Sequence, residues 1–294
     1  KDRIKKIIEN RYDVIIVGNV GQINKIASEK SIVVMVYHGI GLKQSYYNDI
    51  NDRIDIRAVE SSNRYNELAN HGHNNLVLTG YTKLDRLNTI TDDEVDRYRK
   101  SLNLDPGKKT ILYAPSFYPT SIEKISPFIS VLNQDFNVVI KLHGFSWEQK
   151  RFRYQSKLCT ELDNNNSNVK LVPNEKIDII PLYKIADILI TDISSTMFEY
   201  LPLNRPIIQA ECFTLRLKHK IFYYRFMKKM DSKRLEDVDF VYKIFNPEDL
   251  LSRLYFALDN LDQMSEKREK ACNSFLYKID GKASKRLVDA IENF

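Results

Sequence analysis

The segment ILITDISSTMFEY, residues 188–200, contains the signals that decide the fold of this chain. Its opening residues form a short apolar run, which is typical of a strand covered on both faces of a parallel sheet. Asp192 follows this run, and Ser194 and Ser195 stand where a helix can begin, because serine is a favoured N-cap residue. We therefore predict a buried strand, a polar turn and a helix that runs to about Leu201.

Short apolar runs recur along the chain, and each is bounded by turn or polar residues. The runs are YDVIIVG, SIVVMVYHG, IDIRAVES, NLVLTG, TILYAPS, NVVIKLHG, VKLVP, ADILITD and RPIIQA. Helical patterns lie between them, including TDDEVDRYRKSLNL, where Thr91 can cap the helix and Glu94 stands three residues later. Alternating strands and helices predict doubly wound α/β layers. Because nine strands exceed one compact sheet of this type, we predict two α/β domains.

The stretch NLDPGKKT interrupts the pattern, because Pro106 and Gly107 separate a helix from a new strand. We therefore predict a first domain over residues 1–104 and a second over residues 105–294. The last helical pattern, KASKRLVDAIENF, has no strand after it. We expect this helix to cross back onto the first domain.

Composition excludes several classes of protein. The formal charge is +6, from 45 basic and 39 acidic residues, which is too small an excess to indicate nucleic-acid binding. The three cysteines, Cys159, Cys212 and Cys272, are far apart and lack metal-ligand spacing, so the sequence predicts neither a disulfide framework nor a zinc site. They favour a reducing cytoplasm. No apolar run reaches the roughly 18 residues typical of a membrane span.

The stretch LKHKIFYYRFMKKM, residues 217–230, interleaves six basic residues with four aromatic ones. Two interpretations remain open. The stretch can rest on anionic lipid headgroups, with buried stems and outward charges. Alternatively, it is an amphipathic helix that packs on the core and exposes a solvated face.

Ligands of open parallel sheets bind outside the carboxyl ends of the strands, so the residue after each apolar run is informative. The small and polar residues at these places are His38 with Gly39, Gly80, Ser116, His143 with Gly144, and Asp192 with Ser194 and Ser195. They predict a polar site at the strand ends.

The serine pair supports two interpretations. Hydroxyls and backbone N–H groups at the start of a helix can bind an anion such as a diphosphate. The pair can equally be a helix cap without a ligand. Asp192 can likewise serve the site, or it can hold a neighbouring loop amide.

Two histidines are candidates for acid–base chemistry. His143 follows VVIK and Lys141, and an imidazole there can donate to a phosphate oxygen or exchange a proton near neutral pH. A purely structural histidine is the alternative. His38 lies in YHGIGLKQ, where glycines permit close backbone approach and Lys43 can reach an anion.

Taken in order, these motifs resemble the CDP-glycerol glycerophosphotransferase family of teichoic-acid synthesis. The resemblance rests on YHGIGLKQ (37–44), TGYTKLD (79–85), ILYAPS (111–116), IKLHG (140–144), ADILITDISSTMFEYLPLNRPII (186–208) and DGKASKRLVDAI (280–291). It covers most of the chain. It implies a GT-B-like α/β fold, in which two Rossmann-like parallel-sheet domains face each other across a cleft.

The resemblance also implies an activity. Members of the family transfer a polyol phosphate from a CDP-polyol to a hydroxyl of a lipid-linked or polymeric acceptor and release CMP. It implies an acceptor-side first domain, a CDP-donor-binding second domain, no cofactor and no metal. We expect an enzyme of the cytoplasm, peripheral at the inner face of the cell membrane, that acts on a cell-wall or capsule acceptor.

The resemblance assigns roles to named residues. It makes His38 the base for the acceptor hydroxyl, His143 a ligand of the donor phosphate, and Asp192 a catalytic residue that orients its loop or a histidine. The expected donor phosphate and nucleotide ligands are Ser194 and Ser195, with Lys141, Ser116 and Glu199. The expected acceptor-side residues are Gly39, Lys43 and Lys83.

The chain departs from the family pattern at several places where donor and acceptor contacts are expected. Thr82 and Lys83 replace a proline and an arginine, and Phe117 and Tyr118 replace a tryptophan and an arginine. An arginine-to-lysine exchange loses bidentate phosphate geometry. Glycerol is therefore one candidate polyol among several. The alternatives are a glycosyltransferase of the same fold that uses a nucleotide sugar, and a catalytically inactive binding protein.

Overall fold

The computed structural model of the protein describes residues 2–40, 42, 47, 50–132, 134–173, 178–228 and 230–294. The strands in this part of the chain are β1 (Val14–Val17), β2 (Ile32–Val36), β3 (Ile56–Val59), β4 (Leu76–Leu78), β5 (Lys109–Tyr113), β6 (Phe136–Ile140), β7 (Val169–Leu171), β8 (Ile188–Thr191), β9 (Ile207–Ala210) and β10 (Tyr242–Ile244). The α-helices are α1 (Asp2–Asn10), α2 (Ile23–Ile26), α3 (Ser62–Asn70), α4 (Arg86–Thr89), α5 (Asp92–Ser101), α6 (Ile122–Leu132), α7 (Phe145–Glu148), α8 (Arg153–Asn165), α9 (Ile180–Ile185), α10 (Thr196–Glu199), α11 (Leu217–Ile221), α12 (Tyr223–Met227), α13 (Ser232–Glu236), α14 (Leu250–Asp259), α15 (Ser265–Phe275) and α16 (Ala283–Glu292).

The strands form two parallel sheets. One has the order β1-β2-β3-β4, and the other has the order β10-β9-β8-β5-β6-β7. Each of the nine apolar runs overlaps one of the strands β1 to β9, so the predicted α/β fold with parallel sheets is confirmed. The tenth strand, β10, lies within FVYKIF.

The first sheet is covered on both faces. Val33 and Met35 of β2 pack with Ile23 of α2 on one face. Val34, one position along the strand, packs with Leu287 of α16 on the other face. Successive side chains of a strand point to opposite faces, which explains why this run is apolar throughout instead of alternating.

The second sheet has the larger core. Its central strands contribute Ile111, Val138 and Ile188, which pack with Ile125 of α6 and Leu254 of α14. All five side chains are at most 1% exposed. This rigid core fixes the positions of the loops that follow β5, β6 and β8.

The chain divides into two compact units, Lys1–Thr89 with Cys272–Phe294, and Ile90–Ala271. The predicted boundary after residue 104 is therefore wrong by one helix. Helix α5 packs against α9 of the second unit, and its Val95 is buried. Thr91 caps this helix as predicted and accepts from the Glu94 N–H at 3.3 Å. Tertiary packing, not the Pro106–Gly107 turn, decides where the helix belongs.

The last helix, α16, lies in the first unit. The carboxylate of Asp85 accepts from the backbone N–H groups of Ala283 and Ser284 at 2.9 and 2.7 Å, which satisfies two N–H groups at the start of α16. The Arg286 guanidinium donates to the carbonyl of Thr79 at 2.6 Å. The motif TGYTKLD therefore binds helix α16 through the hydrogen bonds of Asp85 and Thr79.

Candidate functional site

Asp192 lies directly after β8 and is 0% exposed. Its carboxylate accepts from the backbone N–H groups of Ser116 and Ser121 at 2.9 and 2.7 Å, and from the Ser121 hydroxyl at 3.2 Å. Burial raises the pKa of Asp192 to about 7, although the hydrogen bonds from Ser116 and Ser121 act in the opposite direction. A carboxylate in this position holds the 116–121 loop. The prediction that Asp192 itself is catalytic is replaced by a positioning role, since no part of its side chain reaches the surface.

The turn after Asp192 differs from the predicted helix cap. Ser195 occupies the N-cap position, but its side chain makes no capping hydrogen bond. Its hydroxyl donates to Glu199 Oε1 at 3.0 Å instead. Helix α10 ends at Glu199 and a 3₁₀ turn follows at Leu201–Leu203, so the helix is shorter than predicted and its dipole is correspondingly smaller.

Glu199 does not reach the surface of this turn. Its side chain is buried, and its second oxygen, Oε2, accepts from the Tyr183 hydroxyl at 2.9 Å. The predicted donor contact by Glu199 is therefore corrected to an indirect role, in which the carboxylate orients Ser195. Ser194 is half-buried, and its hydroxyl oxygen accepts a hydrogen bond from Thr196 Oγ1 at 3.1 Å.

His143 lies after β6 and is exposed. The backbone N–H of Phe145 donates to its Nδ1 at 3.0 Å. A backbone N–H can only donate, so Nδ1 must be the unprotonated nitrogen of the neutral ring. The proton then lies on Nε2, which makes this nitrogen a hydrogen-bond donor suited to a phosphate oxygen.

Two phenylalanines contact this imidazole, and a third packs against one of them. The ring centroids of Phe117 and His143 are 4.7 Å apart, and those of Phe145 and His143 are 5.0 Å apart. Phe152 packs against Phe117 at 5.2 Å. These contacts fix the ring plane of His143, and sequence reasoning missed them. The only signal was the departure from the family pattern at Phe117.

The remaining donor-side candidates lie on the same sheet. Ser116 and Lys141 are half-buried and follow β5 and β6, and the Ser116 hydroxyl donates to the carbonyl of Pro119. The Lys141 N–H donates to the carbonyl of Tyr113 at 2.9 Å. Strand β5 lies between β6 and β8. The carboxyl ends of these three adjacent strands are therefore followed by Ser116, by Lys141 and His143, and by Ser194.

The first unit contains the acceptor-side candidates. His38 follows β2 and is exposed, and its Nδ1 lies 3.0 Å from the carbonyl oxygen of Gly18. A carbonyl can only accept, so Nδ1 carries a proton, and in the neutral ring Nε2 is then the nitrogen that can accept one. Gly39 is buried, and Lys83 is exposed in a 3₁₀ turn. Lys43 lies outside the described residues.

The basic and aromatic stretch does not form one packed helix. It forms α11 and α12, and Leu217, Ile221 and Tyr224 are 73%, 64% and 54% exposed. The interpretation of a helix with its apolar face on the core is therefore wrong for these side chains. Among the described residues of the stretch, His219 and Met230 are buried, with 8% and 6% exposure.

The residues that the structure describes lack two kinds of feature. They contain no helix of the length and apolar character needed to cross a membrane. They also contain no group of three or more His, Cys, Asp or Glu side chains arranged to hold a metal ion.

Known proteins share this architecture. The wall teichoic acid polymerase TagF superposes with a TM-score of 0.72 at 21% identity, over 96% of this chain and 72% of that chain. This likeness confirms the predicted GT-B-like fold. It concerns the fold alone.

Two curated relatives match in sequence. The teichoic acid glycerol-phosphate transferase of Staphylococcus aureus (strain NCTC 8325 / PS 47) is 26% identical over 235 residues, which cover 74% of this chain and 54% of that protein. The teichoic acid poly(glycerol phosphate) polymerase of Bacillus spizizenii (strain ATCC 23059 / NRRL B-14472 / W23) is 25% identical over 231 residues, which cover 73% of this chain and 52% of that protein. The chain spans about half the length of the curated relatives it matches. The profile of one family matches residues 15–293, nearly the whole chain, and the chain belongs to that family, CDP-glycerol:poly(glycerophosphate) glycerophosphotransferase.

Proposed function

We propose that this chain transfers a polyol phosphate, with glycerol phosphate as the first candidate, from a CDP-polyol to a hydroxyl of a lipid-linked or polymeric cell-wall or capsule acceptor. One observation carries the proposal beyond family membership. Backbone groups select opposite tautomers of two histidines, so that Nε2 of His38 can accept a proton and Nε2 of His143 can donate one. Hydroxyl attack on the diphosphate of a CDP-polyol uses one group of each kind, a base for the hydroxyl proton and a donor for a phosphoryl oxygen.

The proposed reaction assigns one step to each imidazole. The acceptor oxygen attacks the phosphorus that carries the polyol, and its proton passes to Nε2 of His38. The bond from this phosphorus to the CMP oxygen breaks, and CMP leaves with the electron pair. Nε2–H of His143 donates to a phosphoryl oxygen, which stabilises the negative charge of the transition state.

The buried carboxylates support these groups indirectly. Asp192 holds the 116–121 loop, and Phe117 of that loop packs on His143. Ser194 and Lys141 are the further donor-side candidates, and Gly39, Lys43 and Lys83 remain acceptor-side proposals. None of these assignments requires a resident cofactor.

A membrane surface is the proposed place of action. Leu217, Ile221 and Tyr224 are exposed beside the exposed Lys218 and Lys220, and such a surface suits anionic headgroups above an apolar layer. Cys159, Cys212 and Cys272 form no disulfide, which favours the reducing cytoplasmic side. Flotation with anionic and neutral vesicles tests this placement, and failure to float with anionic vesicles would refute it.

The activity test is release of CMP from CDP-glycerol and CDP-ribitol in the presence of a glycerol-phosphate oligomer. We expect His38→Ala and His143→Ala each to lower kcat by about 100- to 10,000-fold. We expect only His143→Ala to weaken protection against thermal melting by CDP, because His38 is assigned to the acceptor. Turnover that survives both substitutions would refute the assigned roles.

The same melting experiment separates the alternatives. Protection by UDP or GDP in place of CDP would favour a sugar transferase. A folded protein that no nucleoside diphosphate protects would favour a binding protein without activity.

A further inference from the structure

The loop that carries Phe117 is attached to the segment that carries the exposed apolar residues. The Thr214 N–H donates to the Thr120 carbonyl at 2.8 Å, as an isolated antiparallel bridge. Two residues later, the Arg216 N–H donates to the Tyr118 hydroxyl oxygen at 3.2 Å. The guanidinium of Arg216 also lies over the Tyr118 ring, 4.4 Å from its centroid.

Tyr118 makes the contact with α11 itself. Its hydroxyl oxygen lies 2.6 Å from Nδ1 of His219. The same oxygen accepts from the Arg216 N–H, so it bonds both to the residue that precedes α11 and to a side chain of α11 itself. The Tyr118 hydroxyl therefore links the 116–121 loop to this helix.

Helix α11 has two different faces. His219 is 8% exposed and meets Tyr118, whereas Leu217 and Ile221 are 73% and 64% exposed. Two residues along a helix correspond to a rotation of about 200°, so His219 lies opposite these two apolar side chains. A surface that binds Leu217 and Ile221 therefore contacts one face of α11, while the opposite face contacts Tyr118 of the 116–121 loop.

The other end of this connection is the donor site. Asp192 holds the loop at Ser116 and Ser121, on either side of Tyr118. Phe117 precedes Tyr118 and packs on His143 at 4.7 Å. A change in the position of Tyr118 must therefore change the support of the His143 ring.

We propose that Tyr118 is a positioning residue that couples the binding of α11 to an anionic lipid surface with the order of the 116–121 loop. Lipid contact restrains α11, and the Tyr118–His219 hydrogen bond passes this restraint to the loop. The donor-binding arrangement is then better ordered on the membrane than in solution. The inference rests on the proposed function for the membrane surface and for the catalytic consequence.

Hydrogen exchange of the 116–121 peptide tests the coupling without any need for turnover. We expect vesicles of phosphatidylglycerol and phosphatidylcholine to slow this exchange in the wild type by about 5-fold or more, the lower end of typical couplings between sites. Phosphatidylcholine vesicles should leave the exchange unchanged. Tyr118→Phe keeps the ring and should still float with the anionic vesicles, but the slowing should be absent.

Two further variants complete the design. Leu217→Ser with Ile221→Ser should lose both flotation and slowing. Tyr255→Phe removes the hydroxyl of another tyrosine, which bonds to Asp135, and should behave as the wild type does. Exchange that is equally slowed in Tyr118→Phe, or not slowed in the wild type, would overturn the proposal.

Turnover provides the second readout. With a soluble acceptor, so that delivery of a lipid substrate cannot contribute, anionic vesicles should raise kcat/KM for CDP-glycerol about 5-fold or more in the wild type but not in Tyr118→Phe. Absence of turnover in every sample would count against the proposed function, and the exchange result would still decide the coupling.

Discussion

The Phe145 N–H group donates to Nδ1 of His143 at 3.0 Å, and this single bond selects the tautomer of the imidazole. Two substitutions at His143 distinguish the hydrogen bond that Nδ1 accepts from Phe145 from the donor function of Nε2. The Asn side chain in His143→Asn can accept from Phe145 but cannot reach the place of Nε2. The longer amide of His143→Gln can bring an N–H group near that place.

We therefore expect His143→Asn to lower kcat for CMP release by about 100- to 1,000-fold, and His143→Gln to lower it less. The free energy of unfolding should be nearly unchanged in His143→Asn. Equal activity of the two variants would show that the donor at Nε2 is not used.

Much of the fold is predictable from the chain, because strand signals are local. The run before Asp192 forms β8, and the Thr91 cap begins α5. The sequence also contains a signal that α10 is short. Pro202 lacks an N–H group and its ring clashes with the carbonyl four residues earlier, so an α-helix through Leu201 is disfavoured.

Other features depend on tertiary contacts that no local pattern reveals. Sequence alone leaves open whether Asp192 faces a ligand or a loop, since both follow the same apolar run. The place of α5 depends on its packing against α9. The contact of Phe117 with His143 joins residues of two different loops, and only the strand order brings these loops together.

The buried carboxyl of Asp192 predicts a pH dependence of stability. Its pKa in the folded protein is about 7, above the ordinary value of 3.8, because burial disfavours the charged form. Between these values the folded protein holds a proton that the unfolded chain has released. The contribution of Asp192 to the free energy of unfolding is therefore fully present below pH 3.8, and it is lost as the pH rises towards 7.

Asp192→Asn removes this titration and allows a direct measurement. Urea unfolding at about pH 4.5 and about pH 8 should show a larger fall in the wild type than in the variant. Parallel pH profiles of the two proteins would contradict the assignment.

Glu199 is the second buried carboxylate, and its two oxygens accept from Ser195 and Tyr183. Glu199→Gln replaces one acceptor with a donor, so one of the two hydroxyls must reverse its hydrogen bond and both lose a charged acceptor. We expect the free energy of unfolding to fall by about 1–3 kcal/mol, measured by urea denaturation. The exposed Glu161 of α8 provides the control, and Glu161→Gln should change stability by no more than about 0.5 kcal/mol. Similar values for both variants would argue against the buried hydrogen bonds.

Two glycines with nearly equal backbone angles test how the end of the chain packs on the first unit. Gly80 and Gly72 have φ of +85° and +84°, so alanine at either position meets the same left-handed strain of about 1–2 kcal/mol. A Cβ at Gly80 would lie 2.6 Å from the carbonyl oxygen of Tyr277, whereas a Cβ at Gly72 would meet nothing within 4 Å. The contact at Gly80 is with backbone, which cannot turn aside as a flexible side chain can.

We therefore expect Gly80→Ala to be less stable than Gly72→Ala by a further 1–3 kcal/mol or so, about the cost of overpacking. Hydrogen exchange should locate the difference, since the amide of Tyr277 donates to the Glu60 carbonyl at 2.7 Å and should exchange faster only in Gly80→Ala. Equal losses of stability in the two variants would mean that the Tyr277 carbonyl oxygen lies farther than 2.6 Å from a Cβ at position 80. The comparison thus isolates the steric contact from the backbone strain, because the strain is common to both positions.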